Sequence, residues 1–126
     1  MNSNLNVLAL AYLGDAVYEL RVRTYLLNNG IEKVNNLQKE SIKYVSAKSQ
    51  AAFIKNMLDN DFLTDEEVAI FKRARNHKSK SSPKNTDIVT YKYSTGLEAL
   101  VGALYIDNNE KRIDEIMDFI LGGSLC

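Results

Sequence analysis

The chain has 126 residues, with 16 basic and 16 acidic side chains, one histidine and one cysteine. Charges that cancel leave no global field to gather nucleic acid, so electrostatic recognition must be local, and lone Cys126 and His77 exclude an intramolecular disulfide and a Cys/His metal centre. No basic leader opens the chain and no apolar run approaches the ~18 residues of a membrane span, so a reduced, cytoplasmic protein without membrane association is expected.

Six glycines and one proline are few breaks for this length, which favours long helices. Residues 5–28 read as one helix, because Leu5, Leu8, Tyr12, Ala16 and Leu20 recur at three- and four-residue spacing and Asn28-Asn29-Gly30 closes it. Its first half is also apolar through Val7, Leu10, Leu13 and Val17, which suits the centre of a bundle or a dimer interface. A helix over 34–44 follows, then one over 46–58 with Ser46 as N-cap and Ala47, Ala51, Ile54 and Leu58 on one face. Thr64-Asp65-Glu66-Glu67 is a capping box that opens a helix to about Arg75. Residues 76–86 turn to Lys, Ser, Asn and Pro83 and read as a loop. The next helix starts somewhere between Asp87 and Thr95 and runs to Ile106, Asp107-Asn108-Asn109 breaks it, and a last amphipathic helix spans 112–121. Strand alternation, internal repeats and low-complexity tracts are absent, so the expected fold is all-α, one domain over residues 1–126.

Two acids stand out against this background. Asp15 is the only charge between Met1 and Tyr18, and Glu98 is equally isolated in the apolar run 93–106. A carboxylate in an apolar helix is costly to desolvate unless a cation or donors compensate it. Gly14 beside Asp15 weakens a helix interior by ~1 kcal/mol, which points to a close approach there by a backbone, partner or ligand. Either acid alone could meet a basic residue from another helix, with Lys72, Arg73 or Arg75 the candidates for Glu98. Together, on separate helices, they have the makings of a Mg²⁺ site, since that ion takes few protein carboxylates and keeps several waters. Glu19 lies one turn beyond Asp15 and is placed to pair with Arg23.

The segment 72–85 carries six basic residues and no acid, with Ser and Asn interleaved. Arg73, Arg75, Asn76, Lys78, Lys84 and Asn85 are its candidate phosphate and sugar contacts. It contains no aromatic side chain, which disfavours stacking on single-stranded bases and suits duplex RNA, read by shape, phosphate and 2′-hydroxyl. The competing reading is a solvated helix end whose cations complement the dipole. His77 within it reads as a surface residue or phosphate contact, and Tyr91, Tyr93 and Tyr105 as core or interface residues.

These residues resemble a known family. Leu10-Ala11-Tyr12-Leu13-Gly14-Asp15-Ala16-Val17-Tyr18-Glu19 is similar to the signature helix of ribonuclease III domains, and Leu97-Glu98-Ala99-Leu100-Val101-Gly102-Ala103-Leu104-Tyr105 to the second acidic motif. Val45-Ser46-Ala47-Lys48-Ser49-Gln50, the basic segment, and Pro83 to Thr95 resemble the short Mini-III branch, which lacks the double-stranded-RNA-binding domain; with the chain ending at Cys126, none is expected here. The resemblance implies a helical endonuclease domain that dimerises through the signature helix. It implies Mg²⁺-dependent cleavage of double-stranded RNA to 5′-phosphate and 3′-hydroxyl ends, with Asp15 and Glu98 as catalytic and metal-binding residues. In bacteria it implies maturation of the large-subunit (23S) ribosomal RNA precursor, with a ribosomal protein as a candidate presenter of the substrate.

Two positions depart from the wider family pattern. An acid is usual one turn before the signature aspartate and three residues before the second-motif glutamate, where this chain has Ala11 and Thr95. With those carboxylates missing, weak Mg²⁺ binding completed by water and RNA oxygens is expected. The same absences support the alternative of a catalytically silent, RNA-binding scaffold. A helical nucleotide pyrophosphohydrolase is disfavoured, because the one Glu-Glu pair, Glu66-Glu67, belongs to a capping box. A ligand-free dimerisation protein would leave Asp15 and Glu98 in need of cationic partners.

Overall fold

The structure is a computed structural model that describes residues 5–77 and 86–122. Within them the chain is all-α, with helices α1 (Val7–Asn28), α2 (Val34–Val45), α3 (Ala47–Asp59), α4 (Asp65–Arg75), α5 (Ile88–Ile106) and α6 (Glu110–Leu121). Short polar side chains set most of the starts. Asn6 accepts from Leu8 and Ala9 N–H, Ser46 from Ser49, and Thr64 and Glu67 complete the expected capping box. Asp87 fixes the start of α5 by accepting from the Thr90 N–H at 2.8 Å. The last helix begins two residues before the sequence expectation, because Asn109 both ends the preceding break and caps α6 through the Arg112 N–H. After α1 the chain turns at Gly30, whose φ of 87° is a left-handed conformation that glycine adopts without strain.

The centre of the molecule is α5, not α1. Residues from Ser94 to Leu104 on α5 are buried with Glu98 as the only partly exposed position, because α1, α3 and α4 all pack against that stretch. The main core joins Tyr18, Val22 and Leu26 of α1 to Ile54, Phe71, Leu97, Leu100, Leu104 and the inner face of α6. Although α1 is apolar nearly all round, it is buried on one side only: Leu8, Tyr12 and Leu20 are exposed, Tyr12 at 85%. This one-sided burial sets aside the central-helix reading of α1 and leaves a row of apolar side chains in the open.

One buried ion pair ties α4 to α6. Arg112 donates through Nε and Nη2 to both oxygens of Glu67 at 2.7 and 2.8 Å, and also to the Phe62 carbonyl. Burial pushes the Glu67 carboxyl up, but the Arg112 and Thr64 donors overcome that and hold it below its ordinary value. Arg112→Ala would leave Glu67 buried without its cation, and an unfolding free energy lower by about 2–3 kcal/mol is expected from denaturant titration. On the outside, Arg21 of α1 bonds to Glu110 and Asp114 of α6, a more exposed clasp of smaller weight.

Candidate active site

The site is built by two glycines. A Cβ on Gly14 would sit 1.7 Å from the Glu98 carbonyl oxygen, and one on Gly102 would sit 2.0 Å from the Leu10 carbonyl oxygen. At this crossing α1 and α5 therefore touch backbone to backbone, which only residues without side chains permit. Asp15 is the residue after Gly14, and Glu98 is the residue whose own carbonyl meets Gly14. The crossing thus delivers the two isolated acids to one place.

Their side chains come within hydrogen-bond reach of each other. Burial pushes the Glu98 carboxyl up to about 8, and the hydrogen bond and negative charge of Asp15 add to the rise. The Gln50 amide pulls it slightly back, while the charge of Glu19 pushes it further up. Among the described residues no lysine or arginine forms an ion pair with Asp15 or Glu98. The expected rival partners of Glu98 (Lys72, Arg73 and Arg75) leave it alone. Glu19 pairs with Arg23 at 3.3 Å, as its spacing predicts.

The desolvation argument holds for Glu98 but not for Asp15, which is exposed in the single chain. A helix with one open side leaves its polar residue in water. The strain of the pair lies instead in bringing a second carboxylate against a half-buried one. Relief by a divalent cation is what such a pair can use, and the donor set is hard oxygen throughout, which suits Mg²⁺. The described residues hold no cluster of three or more His, Cys, Asp or Glu side chains placed for a metal. The two departures add no acid there: Ala11 is buried in a small cluster that includes Val7, Ile70 and Ala74, and the Thr95 hydroxyl, also buried, donates to the Tyr91 carbonyl at 2.9 Å.

Of the basic candidates, Arg73, Arg75 and Asn76 lie at the end of α4, whereas Lys78, Lys84 and Asn85 lie outside the described residues. Arg73 is exposed, with Nη2 3.4 Å from the Leu5 carbonyl. Arg75 is held more firmly. Its Nε donates to the Asn76 side-chain oxygen at 3.0 Å, and its guanidinium lies over the rings of Phe71 and Tyr93 at 5.4 and 5.9 Å. Tyr93 is five residues before Glu98 on α5, roughly 7 Å along the helix axis and about 140° around it, so the basic end of α4 meets α5 within two turns of the acidic pair.

Two polar neighbours were given no role by the sequence. Lys55 of α3 places its ammonium 4.9 Å from the Tyr93 ring centre, opening the basic cluster to a third helix. Gln50, also on α3, is 2% exposed, and its Nε2 makes no hydrogen bond of ordinary geometry although the amide neighbours Glu98. Neither has a signal in composition or periodicity, since a lysine and a glutamine on an amphipathic helix are ordinary.

A family model, the ribonuclease III domain, matches residues 8–109. The chain is 44% identical to Mini-ribonuclease 3 of Enterococcus faecalis, over 93% of this chain and 89% of that protein. It is 45% identical to Mini-ribonuclease 3 of Staphylococcus aureus, over 93% and 87%. A crystal structure of a Fusobacterium nucleatum protein superposes with a TM-score of 0.85 at 34% identity, covering 96% of this chain and 97% of the other.

Proposed function

Because the chain belongs to the ribonuclease III family, in its short Mini-III branch, we propose that it is a Mg²⁺-dependent endonuclease of double-stranded RNA with Asp15 and Glu98 at its active site. The observation that carries this reading is the meeting of two carboxylates from separate helices with no cation of the described residues paired to either. Asp15 and Glu98 would hold the ion, which when bound supplies Lewis-acid activation of a water for in-line attack on phosphorus. The chain's own part is positional. The α1–α5 crossing fixes the distance between the acids, and the half-buried setting of Glu98 limits how far its carboxylate can wander.

Arg73, Arg75 and Asn76, with Lys78, Lys84 and Asn85, would grip phosphates on either side of the scissile bond. The Arg75 guanidinium is already ordered against two rings, so little of its freedom is lost on binding RNA. Replacing Arg73 and Arg75 together with alanine should weaken binding to all duplexes alike and flatten the salt dependence by about two units of log slope. Binding measured at several salt concentrations on duplexes of different sequence checks this; a loss confined to one sequence would contradict phosphate gripping.

The open stripe on α1 supports a homodimer. Leu8, Tyr12, Asp15 and Glu19 follow at four- and three-residue steps, so a second copy covering the apolar residues would also approach the acidic pair. The expected substrate in a cytoplasmic setting is the precursor of 23S ribosomal RNA, with a ribosomal protein as its presenter and 5′-phosphate and 3′-hydroxyl product ends. The test is incubation of a structured ribosomal-RNA precursor with and without Mg²⁺, followed by end mapping. Duplex binding with no cleavage under any divalent ion would favour the silent scaffold instead.

A further inference from the structure

We infer, resting on the assignment of Asp15 and Glu98 as the active pair, that Gln50 is a positioning residue whose amide N–H group orients the Glu98 carboxylate. Gln50 reaches the site from α3, a helix that contributes no acid to it, and Ser46 fixes the start of that helix by capping the Ser49 N–H. The side chain is almost wholly buried, yet Nε2 makes no hydrogen bond of ordinary geometry. A carboxamide nitrogen carries two donor hydrogens, and leaving both unused in the interior destabilises a fold. A methionine or leucine would fill the same space without that penalty.

What the amide faces gives it a use. The charged side chains that act most on the Glu98 carboxylate among the described residues, Asp15 and Glu19, are both acids and offer it no donor when ionised. Gln50 brings a buried, unused donor, and a carboxylate can take a donor on one oxygen while it ligates a cation through the other. A carboxylate that ligates on one side keeps its orientation through a donor on another, and loss of such a donor typically weakens metal affinity or activity by 10- to 100-fold. An amide suits the task better than lysine or arginine, because it can donate without supplying a positive charge that would compete with the ion.

The experiment compares wild type, Gln50→Met and Glu98→Gln, each as the full chain. Duplex-RNA cleavage gives kcat, KM and the Mg²⁺ concentration at half-maximal rate, and thermal melts with and without Mg²⁺ give a reading independent of turnover. Gln50→Met is expected to melt within about 4 °C of wild type without metal, because the amide has only a poorly aligned contact to lose and methionine fills the same space without a buried donor. Its kcat should fall about 10-fold or its Mg²⁺ requirement rise by that factor, with KM for RNA within about twofold of wild type. The Mg²⁺-induced rise in melting temperature should shrink. Wild-type kcat and Mg²⁺ dependence in Gln50→Met would overturn the inference. So would a clear fall in its metal-free melting temperature, which would make the amide a structural group. Glu98→Gln separates the two levels: if it still cleaves, the active-pair assignment itself fails, whereas an inactive Glu98→Gln beside a fully active Gln50→Met refutes the role of Gln50 alone.

Discussion

Glu98→Gln should lower cleavage by about a thousandfold or more and, in the same protein, make the metal-free fold more stable above neutral pH. Both effects follow from one carboxyl. In the folded chain burial and the neighbouring Asp15 push it up to about 8, against 4.5 for an ordinary glutamate. The folded state therefore holds this proton more tightly than the unfolded state does. The stabilisation is complete below about pH 4.5 and is lost as pH rises through about 8, a difference of a few kcal/mol. Glutamine keeps the shape without an ionisable proton, so its melting temperature should lack this decline between pH 5 and 9. Asp15→Asn should also abolish cleavage and leave the fold intact, since Asp15 is exposed. It should also flatten the decline in part, by removing one cause of the rise in Glu98. Melts in a chelator across that pH range, beside cleavage assays with Mg²⁺, test both halves. A wild-type protein that grows more stable from pH 5 to 8, or a Glu98→Gln protein that turns over normally, would refute the pairing.

The acids were legible because a charge inside an apolar run is conspicuous wherever the run ends up. The capping box at Thr64–Glu67 and the cap at Ser46 were legible too, since capping depends on residues three apart. Which apolar helix lies at the centre was not. Residues 5–20 and 93–106 look alike in sequence, and only their packing distinguishes the buried stretch of α5 from the one-sided α1. The second role of Glu67 was hidden for a related reason, because its partner Arg112 is 45 residues away in the chain. Gln50 was hidden by chemistry: a neutral amide on an amphipathic helix carries no mark of the carboxylate it will meet. Gly14 was readable as a point of close approach, but not that the approaching group would be the backbone at Glu98 itself.

That contact makes Gly14→Ala and Gly102→Ala the most disruptive glycine substitutions among the described residues. Each adds one methyl group where a backbone carbonyl oxygen lies 1.7 or 2.0 Å away, and neither carbonyl can swing aside as a side chain would. The helices must separate by more than an ångström along their principal contact, opening voids around Leu10, Ala99 and Ala103. A loss of about 4 kcal/mol or more is expected, a large part of the stability of a domain this size. Two other glycines serve as controls. Gly96→Ala would meet the buried Phe71 ring at 2.4 Å and the Phe71 carbonyl oxygen at 3.2 Å, a clash that falls mainly on a side chain and so yields more than one against backbone. Gly30→Ala has open space around it and only its positive φ against it, a penalty of about 1 kcal/mol. Thermal melts should therefore rank Gly14 and Gly102 far below Gly96, and Gly96 below Gly30. Any Gly14→Ala protein that does fold should cleave RNA far less than its remaining stability implies, because separating the helices also draws Asp15 away from Glu98. A Gly14→Ala protein that melts within about 2 °C of wild type and cleaves normally would mean that this crossing does not set the distance between the acids.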